Sequence, residues 1–153
     1  MRKPYWERTD IEKVQSQWNR LNGLHLRDES SVAIVRAATA AELASNFTII
    51  CEFSKGSQFS SEFVDSLLIW ANGIAGKIDR LLLPVTKGSK HHATIKKLKA
   101  ISVQINKKRN SVAHQGEFCN QGEAEEIIKL AKQFIETLIV IYEPEFQLES
   151  IKC

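Results

Sequence analysis

The stretch SVAIVRAATAAELASNFTIICEF, residues 31–53, decides the fold. Its apolar residues fall on most sides of a 3.6-residue period, which leaves no broad polar face for water. A helix of this kind sits at the centre of a bundle. Asp28-Glu29-Ser30-Ser31 supplies helix-start chemistry ahead of it, and Lys55-Gly56-Ser57 breaks the chain after it.

Working outward, Ile11, Val14, Trp18 and Leu21 form one apolar stripe on a helix over 5–22, with Gly23 expected to end it. Ser60-Ser61 opens a third helix whose Phe63, Leu67, Trp70, Ile74, Ile78 and Leu81 keep the period up to Pro84. A fourth, over about 91–114, buries Ile95, Leu98, Ile101, Ile105 and Val112 and has Gly116 as a natural C′ residue. The fifth carries Ile127, Ile128, Ala131, Phe134, Ile135, Leu138 and Tyr142, with Pro144 as its stop. Short loops and no convincing strand predict an all-α, up-and-down bundle of about five helices. Residues 1–153 are expected to form a single domain with its core in about 29–144, the N-terminal helix of 1–25 packed on it, and a tail, 145–153, lying on the bundle or on a partner. Trp6, Trp18 and Trp70 all keep helical spacing and are expected in the core.

With 43% apolar and 25% charged residues, the composition is that of a globular protein rather than a disordered one. No window approaches the roughly 18 uninterrupted apolar residues of a membrane span. The opening Met1-Arg2-Lys3-Pro4-Tyr5-Trp6-Glu7 leads into a charged helix rather than an apolar signal core, so a cytoplasmic protein without membrane contact is expected. Cys51, Cys119 and Cys153 are odd in number and lack CxxC spacing, which encodes neither a disulfide framework nor a zinc site.

Net charge is only +3, but it is segregated. Between Arg80 and Gly116 stand nine basic residues and no acid, whereas from Glu117 onward eight acids face three lysines. Such a basic segment suits an anionic partner, nucleic acid above all. A solvated helix face with no partner fits the charge equally well. Lys96, Lys97 and Lys99, with Lys107 and Lys108 further along, are the candidates for a backbone-binding track.

Arg109 occupies the position where the apolar stripe of the fourth helix should continue. A guanidinium there needs a partner. It either bonds a carboxylate of a neighbouring helix or faces a groove open to a phosphate. Glu42, between the directions of Val35 and Ile49, points inward and is the candidate partner, structural or as a residue positioning Arg109. Arg36 is read as structural or interfacial. His114 lies five positions beyond Arg109, about 140° around and about 7.5 Å along an ideal helix, whereas Asn110 and His114 share a face. Bringing Arg109 and His114 together should therefore require local unwinding near Gly116 or a second copy across a twofold axis. His91-His92 point in different directions and make a poor metal pair, and Cys119 lacks the setting of a nucleophile.

The segment Arg109-Asn110-Ser111-Val112-Ala113-His114-Gln115-Gly116, followed by Glu123-Ala124-Glu125-Glu126-Ile127-Ile128 and the apolar last helix, resembles a HEPN (higher eukaryotes and prokaryotes nucleotide-binding) domain. That family's mark is Arg, four to six residues, then His, often with Asn directly after the Arg, late in an all-α bundle. The resemblance covers roughly residues 29–144. It implies a metal-independent endoribonuclease without cofactor, acting on RNA as a homodimer with Arg109, Asn110 and His114 in a composite cleft. His114 would be the acid/base, Arg109 would hold the scissile phosphate, and Asn110 would orient His114 or bond a phosphate oxygen. It also implies a role as a toxin or defence effector, with a neutralising antitoxin or a larger defence complex as partner. Non-catalytic HEPN domains that dimerise, bind nucleotides or bind proteins are the alternative.

Overall fold

A computed structural model describes residues 3–26, 29–55 and 59–148, the side chains of 25 and 26 excepted. It is an all-helical bundle, with no strand among the described residues. After a 3-10 turn at Tyr5–Glu7, α1 spans Asp10–Leu26, α2 Ser30–Ser54 and α3 Ser61–Trp70. Helix α4 begins as Ile74–Lys77, widens into a π-helical turn at Ile78–Leu82 and closes with Leu83–Val85. Helices α5 (His92–Gln115) and α6 (Gln121–Ile139) complete the bundle.

Helix α2 is central, as residues 31–53 predict. Ala33, Ala37, Ala40, Ala41 and Ala44 are buried along it, and their small side chains let α1, α6, α5 and α4 all approach the same helix. By length and composition α2 could also cross a membrane, and half of its most apolar window is buried inside the bundle. Val14, Trp18 and Leu21 of α1 and Ile127, Phe134, Ile135 and Leu138 of α6 close on it. Each such large side chain contributes roughly 1.5–3 kcal/mol of burial.

Helix ends follow local chemistry. Thr9 and Glu12 form a reciprocal capping pair at the start of α1, the Glu12 N–H donating to Thr9 Oγ1 at 3.2 Å and the Thr9 N–H to Glu12 Oε2 at 2.7 Å. The Phe63 N–H donates to the Ser60 hydroxyl to cap α3. Asn120 and Glu123 repeat the reciprocal cap at α6. Gly116 closes α5 in the left-handed region at φ 67°. Helix α1 does not end at Gly23 but runs to Leu26, and α6 stops at Ile139, short of Pro144.

One expected helix is two. The periodic run Phe63 to Leu81 is interrupted at Ala71-Asn72-Gly73, where Gly73 takes φ 82° and ψ 159°, a conformation that side chains with a Cβ avoid. The interruption resets the phase, so that Val64 is the buried residue of α3 while Phe63 is exposed and Trp70 is 61% exposed. Trp6 is 79% exposed because the chain there is a 3-10 turn rather than the first turn of α1. Only Trp18 of the three tryptophans lies in the core. At the far end Leu148 is buried, Phe146 packs on the core and Gln15 donates to the Gln147 carbonyl, so 145–148 lies on the bundle; residues 149–153 of the expected tail fall outside the described residues.

The Glu123 carboxylate is held below its ordinary range by the Asn120 backbone N–H and then by Lys108. Its folded pKa is depressed, so its contribution is complete above the unfolded value and fades as pH falls through the folded one. The stability difference between wild type and Glu123→Gln, read from urea midpoints, should hold above the ordinary carboxylate range and shrink as the pH is taken below it. A gap that widens on acidification would contradict this assignment.

Candidate functional site

The interruption between α3 and α4 forms one wall of a polar recess of about 240 Å³. Asn72, Gly73 and Ile74 stand on that wall, Ala38, Thr39 and Glu42 of α2 stand on another, and Asn106, Arg109, Asn110 and His114 of α5 supply the third. The sequence-predicted residues Arg109, Asn110, His114 and Glu42 thus line one concavity. Helix α5 runs unbroken to Gln115, so no local unwinding accompanies this. Asn106, Asn110 and His114 succeed one another at four-residue spacing, and Arg109 flanks that stripe; a concave wall, rather than a bent helix, collects them.

Glu42 does not pair with Arg109. Its Oε1 accepts from Lys77 Nζ at 2.7 Å and from the Gly73 N–H at 3.3 Å. The Lys77 side chain is only 4% exposed, so its ammonium depends on this carboxylate. The half-buried Arg109 is consequently left without a carboxylate partner among the described residues, and its Nη1 donates to Asn110 Oδ1 at 3.2 Å. Asn110 therefore steadies Arg109 rather than His114. His114 itself is exposed, at the end of α5 where the recess meets solvent. The segment beyond it is anchored, since the Cys119 N–H donates to Ser31 Oγ at 3.0 Å and the Glu117 N–H to the Ser111 carbonyl.

The lysines divide. Lys108 turns away from the recess and is clamped by Glu117 at 2.7 Å and Glu123 at 3.2 Å, which push its pKa well above the ordinary lysine range despite some desolvation. Lys107 lies in the same acidic groove between α5 and α6. Neither lines the recess. Lys96 and Lys97 are exposed, about 20 Å before Arg109 along the helix. Lys99 is exposed and pairs with Asp79 at 2.6 Å. Arg36 donates to Gln17 between α1 and α2, a structural role. Burial pushes the Cys119 thiol up, which makes it a poor nucleophile. Among the described residues, no group of three or more His, Cys, Asp or Glu is placed to hold a metal ion.

Asn72, Gly73, Thr39, Asn106 and Lys77 went unanticipated. Asn72-Gly73 is a turn signal that the strong apolar period around it overrides on reading. Lys77 has no local signal at all. No family model matches the chain, and no curated protein or solved structure matches it.

Two substitutions test this architecture. A Cβ on Gly73 would meet Asn106 Oδ1 at 3.3 Å and hold an unfavourable φ, so Gly73→Ala should cost about 1–3 kcal/mol in chemical denaturation. Glu42→Ala strands a buried ammonium and should cost about 3 kcal/mol, whereas Glu42→Ala with Lys77→Met should recover much of it. A double variant no more stable than Glu42→Ala would show that the pair does not act as described.

Proposed function

We propose that the chain is a HEPN-type, metal-independent endoribonuclease that acts as a homodimer through Arg109 and His114. The observation carrying this reading is the half-buried Arg109, which has no carboxylate partner among the described residues because Glu42 is committed to Lys77, in the same polar recess as Asn110 and His114. A planar guanidinium in such a setting suits the non-bridging oxygens of a phosphodiester.

The chemistry then follows from RNA's own nucleophile. The ribose 2′-oxygen attacks the adjacent phosphorus and its proton passes to a neutral imidazole. Arg109 stabilises the added charge on the pentacoordinate phosphorus. The bond from phosphorus to the 5′-oxygen breaks, and that oxygen leaves with a proton from an imidazolium. The products are a 2′,3′-cyclic phosphate and a free 5′-hydroxyl. Two histidines share the work most simply when a second copy contributes its own, and the exposed position of His114 at the mouth of the recess is compatible with that pairing. An internal nucleophile held beside its target accounts for much of the barrier reduction. A role as a toxin or defence effector, restrained by a partner, belongs to the same reading and rests on the family resemblance.

Purified protein incubated with single-stranded RNA in EDTA should release fragments ending in 2′,3′-cyclic phosphate. His114→Ala and Arg109→Ala, each with unchanged circular dichroism, should lower the rate by about a hundredfold or more. Cleavage that survives either substitution would overturn the mechanism. A wild-type chain that binds RNA without cutting it would instead favour the non-catalytic module.

A further inference from the structure

A second concavity of about 410 Å³ adjoins the recess and shares Asn72 with it. It lies where the phase reset at Ala71-Asn72-Gly73 leaves Trp70 on the surface. The Arg80 guanidinium stands 5.2 Å from the centre of the indole ring, and Arg80 makes no ion pair among the described residues. Lys99 and Val103 of α5 complete the opposite side. On α5 the order Lys96, Lys99, Val103, Asn106, Asn110, His114 advances by three or four residues at each step, which is one continuous face. The two concavities are thus successive parts of a single groove, with an aromatic and cationic end at Trp70 and the Arg109–His114 recess at the other.

We propose that Trp70 is a stacking platform for an unpaired nucleobase, and that Arg80 holds the ring in place and meets the backbone phosphate of that nucleotide. This rests on the ribonuclease reading for the identity of the neighbouring recess, but the stacking itself can be tested without cleavage. Trp70 is 61% exposed beside the recess, and its indole offers a flat π face on which a base can stack. Its cationic neighbour distinguishes what stacks there: an indole flanked by an arginine with no ion pair among the described residues, beside the paired Lys99 and Asp79, favours a polyanion that offers a flat π face with each charge, which is an unpaired nucleotide. A paired base would not serve, because its faces are occupied by its neighbours in the duplex. The groove therefore selects single-stranded or looped RNA and places the nucleotide beside the scissile phosphate rather than at it. The Asp79 carboxylate, joined to Lys99, keeps that lysine from acting as the principal phosphate contact and leaves the role to Arg80.

The test uses the full chain carrying Trp6→Phe, so that Trp70 is the exposed indole and Trp18 stays buried as a constant background. The probe is a 2′-fluoro single-stranded oligonucleotide of about a dozen residues, which cannot supply the attacking hydroxyl. Saturable quenching of Trp70 emission is expected. Trp70→Ala should weaken binding about tenfold, Trp70→Phe should retain most of it, and the same oligonucleotide as a duplex should bind more weakly. Arg80→Ala should weaken binding and reduce the dependence of log affinity on log salt by about one phosphate contact. Equal affinity for Trp70→Ala and wild type would overturn the proposal, as would equal quenching by inorganic polyphosphate, which has charge and no base. A change from dimer to monomer in Trp70→Ala, with oligonucleotide affinity unaltered, would assign the ring to a second copy and also overturn it. Quenching without any RNA cleavage by the wild type would leave the platform standing and remove the ribonuclease reading; cleavage with unaltered KM in Trp70→Ala would do the reverse.

Discussion

A single carboxylate oxygen, Glu42 Oε1, organises the recess. It accepts from the Lys77 ammonium and from the Gly73 N–H, and so joins the central helix α2 to the interruption between α3 and α4 and to the first turn of α4. A buried ion pair of this kind contributes little net stability compared with apolar residues of the same volume, because desolvation offsets most of the attraction. Its effect is on arrangement. By holding Gly73 in a conformation that only glycine adopts readily, it keeps Asn72 and Ile74 at the edge of the recess, and by occupying Glu42 it leaves Arg109 to be met by something else.

This arrangement depends in turn on the small side chains of α2. Alanines at 37, 38, 40, 41 and 44 allow neighbouring helices close to one axis, and the two polar residues of that surface nearest α5, Thr39 and Glu42, open onto the recess instead of into the core. Larger residues at the alanine positions would push α5 and α4 outward and separate the wall carrying Arg109 from the wall carrying Gly73. Packing and site geometry are therefore one problem in this fold.

What could be read from the sequence was what local chemistry decides. The helix start at Ser60, the glycine stop at Gly116, the stripes of α1 and α6 and the central place of α2 are consequences of period and capping within a dozen residues. Arg109, Asn110 and His114 were legible as a group through the family resemblance; helical spacing alone put Asn110 and His114 on one face and Arg109 away from it, and the concave wall that brings all three together is tertiary. The partner of Glu42 was not, because Lys77 is 35 positions away and only tertiary packing selects it over Arg109. Trp70 was misread as core for a related reason: the apolar period runs through Ala71-Asn72-Gly73 as if the helix continued, and a phase reset there changes the face of every residue before it. Lys107 and Lys108 looked like neighbours of the motif along the chain but turn toward the acids of the last helix.

That last division gives the charge segregation its physical meaning. An acid-free stretch from Arg80 to Gly116 could have been a uniform positive surface. Instead α5 sorts its cations by face: Lys107 and Lys108 line the groove with α6 together with Glu117, Glu123 and Glu126, and Lys108, paired with Glu117 and Glu123, ties the loop after the motif to the next helix. The opposite face carries Lys96, Lys99, Asn106, Asn110 and His114 along the other groove, with Arg80 contributed from α4 and Arg109 at the boundary between the two faces. The acids that follow residue 117 neutralise one side of the helix and are too far around it to neutralise the other. Arg80 and Arg109, which make no ion pair among the described residues, thus flank the same line of residues as the exposed indole and the imidazole, so the cations that would draw a polyanion in and the groups that would act on it lie together.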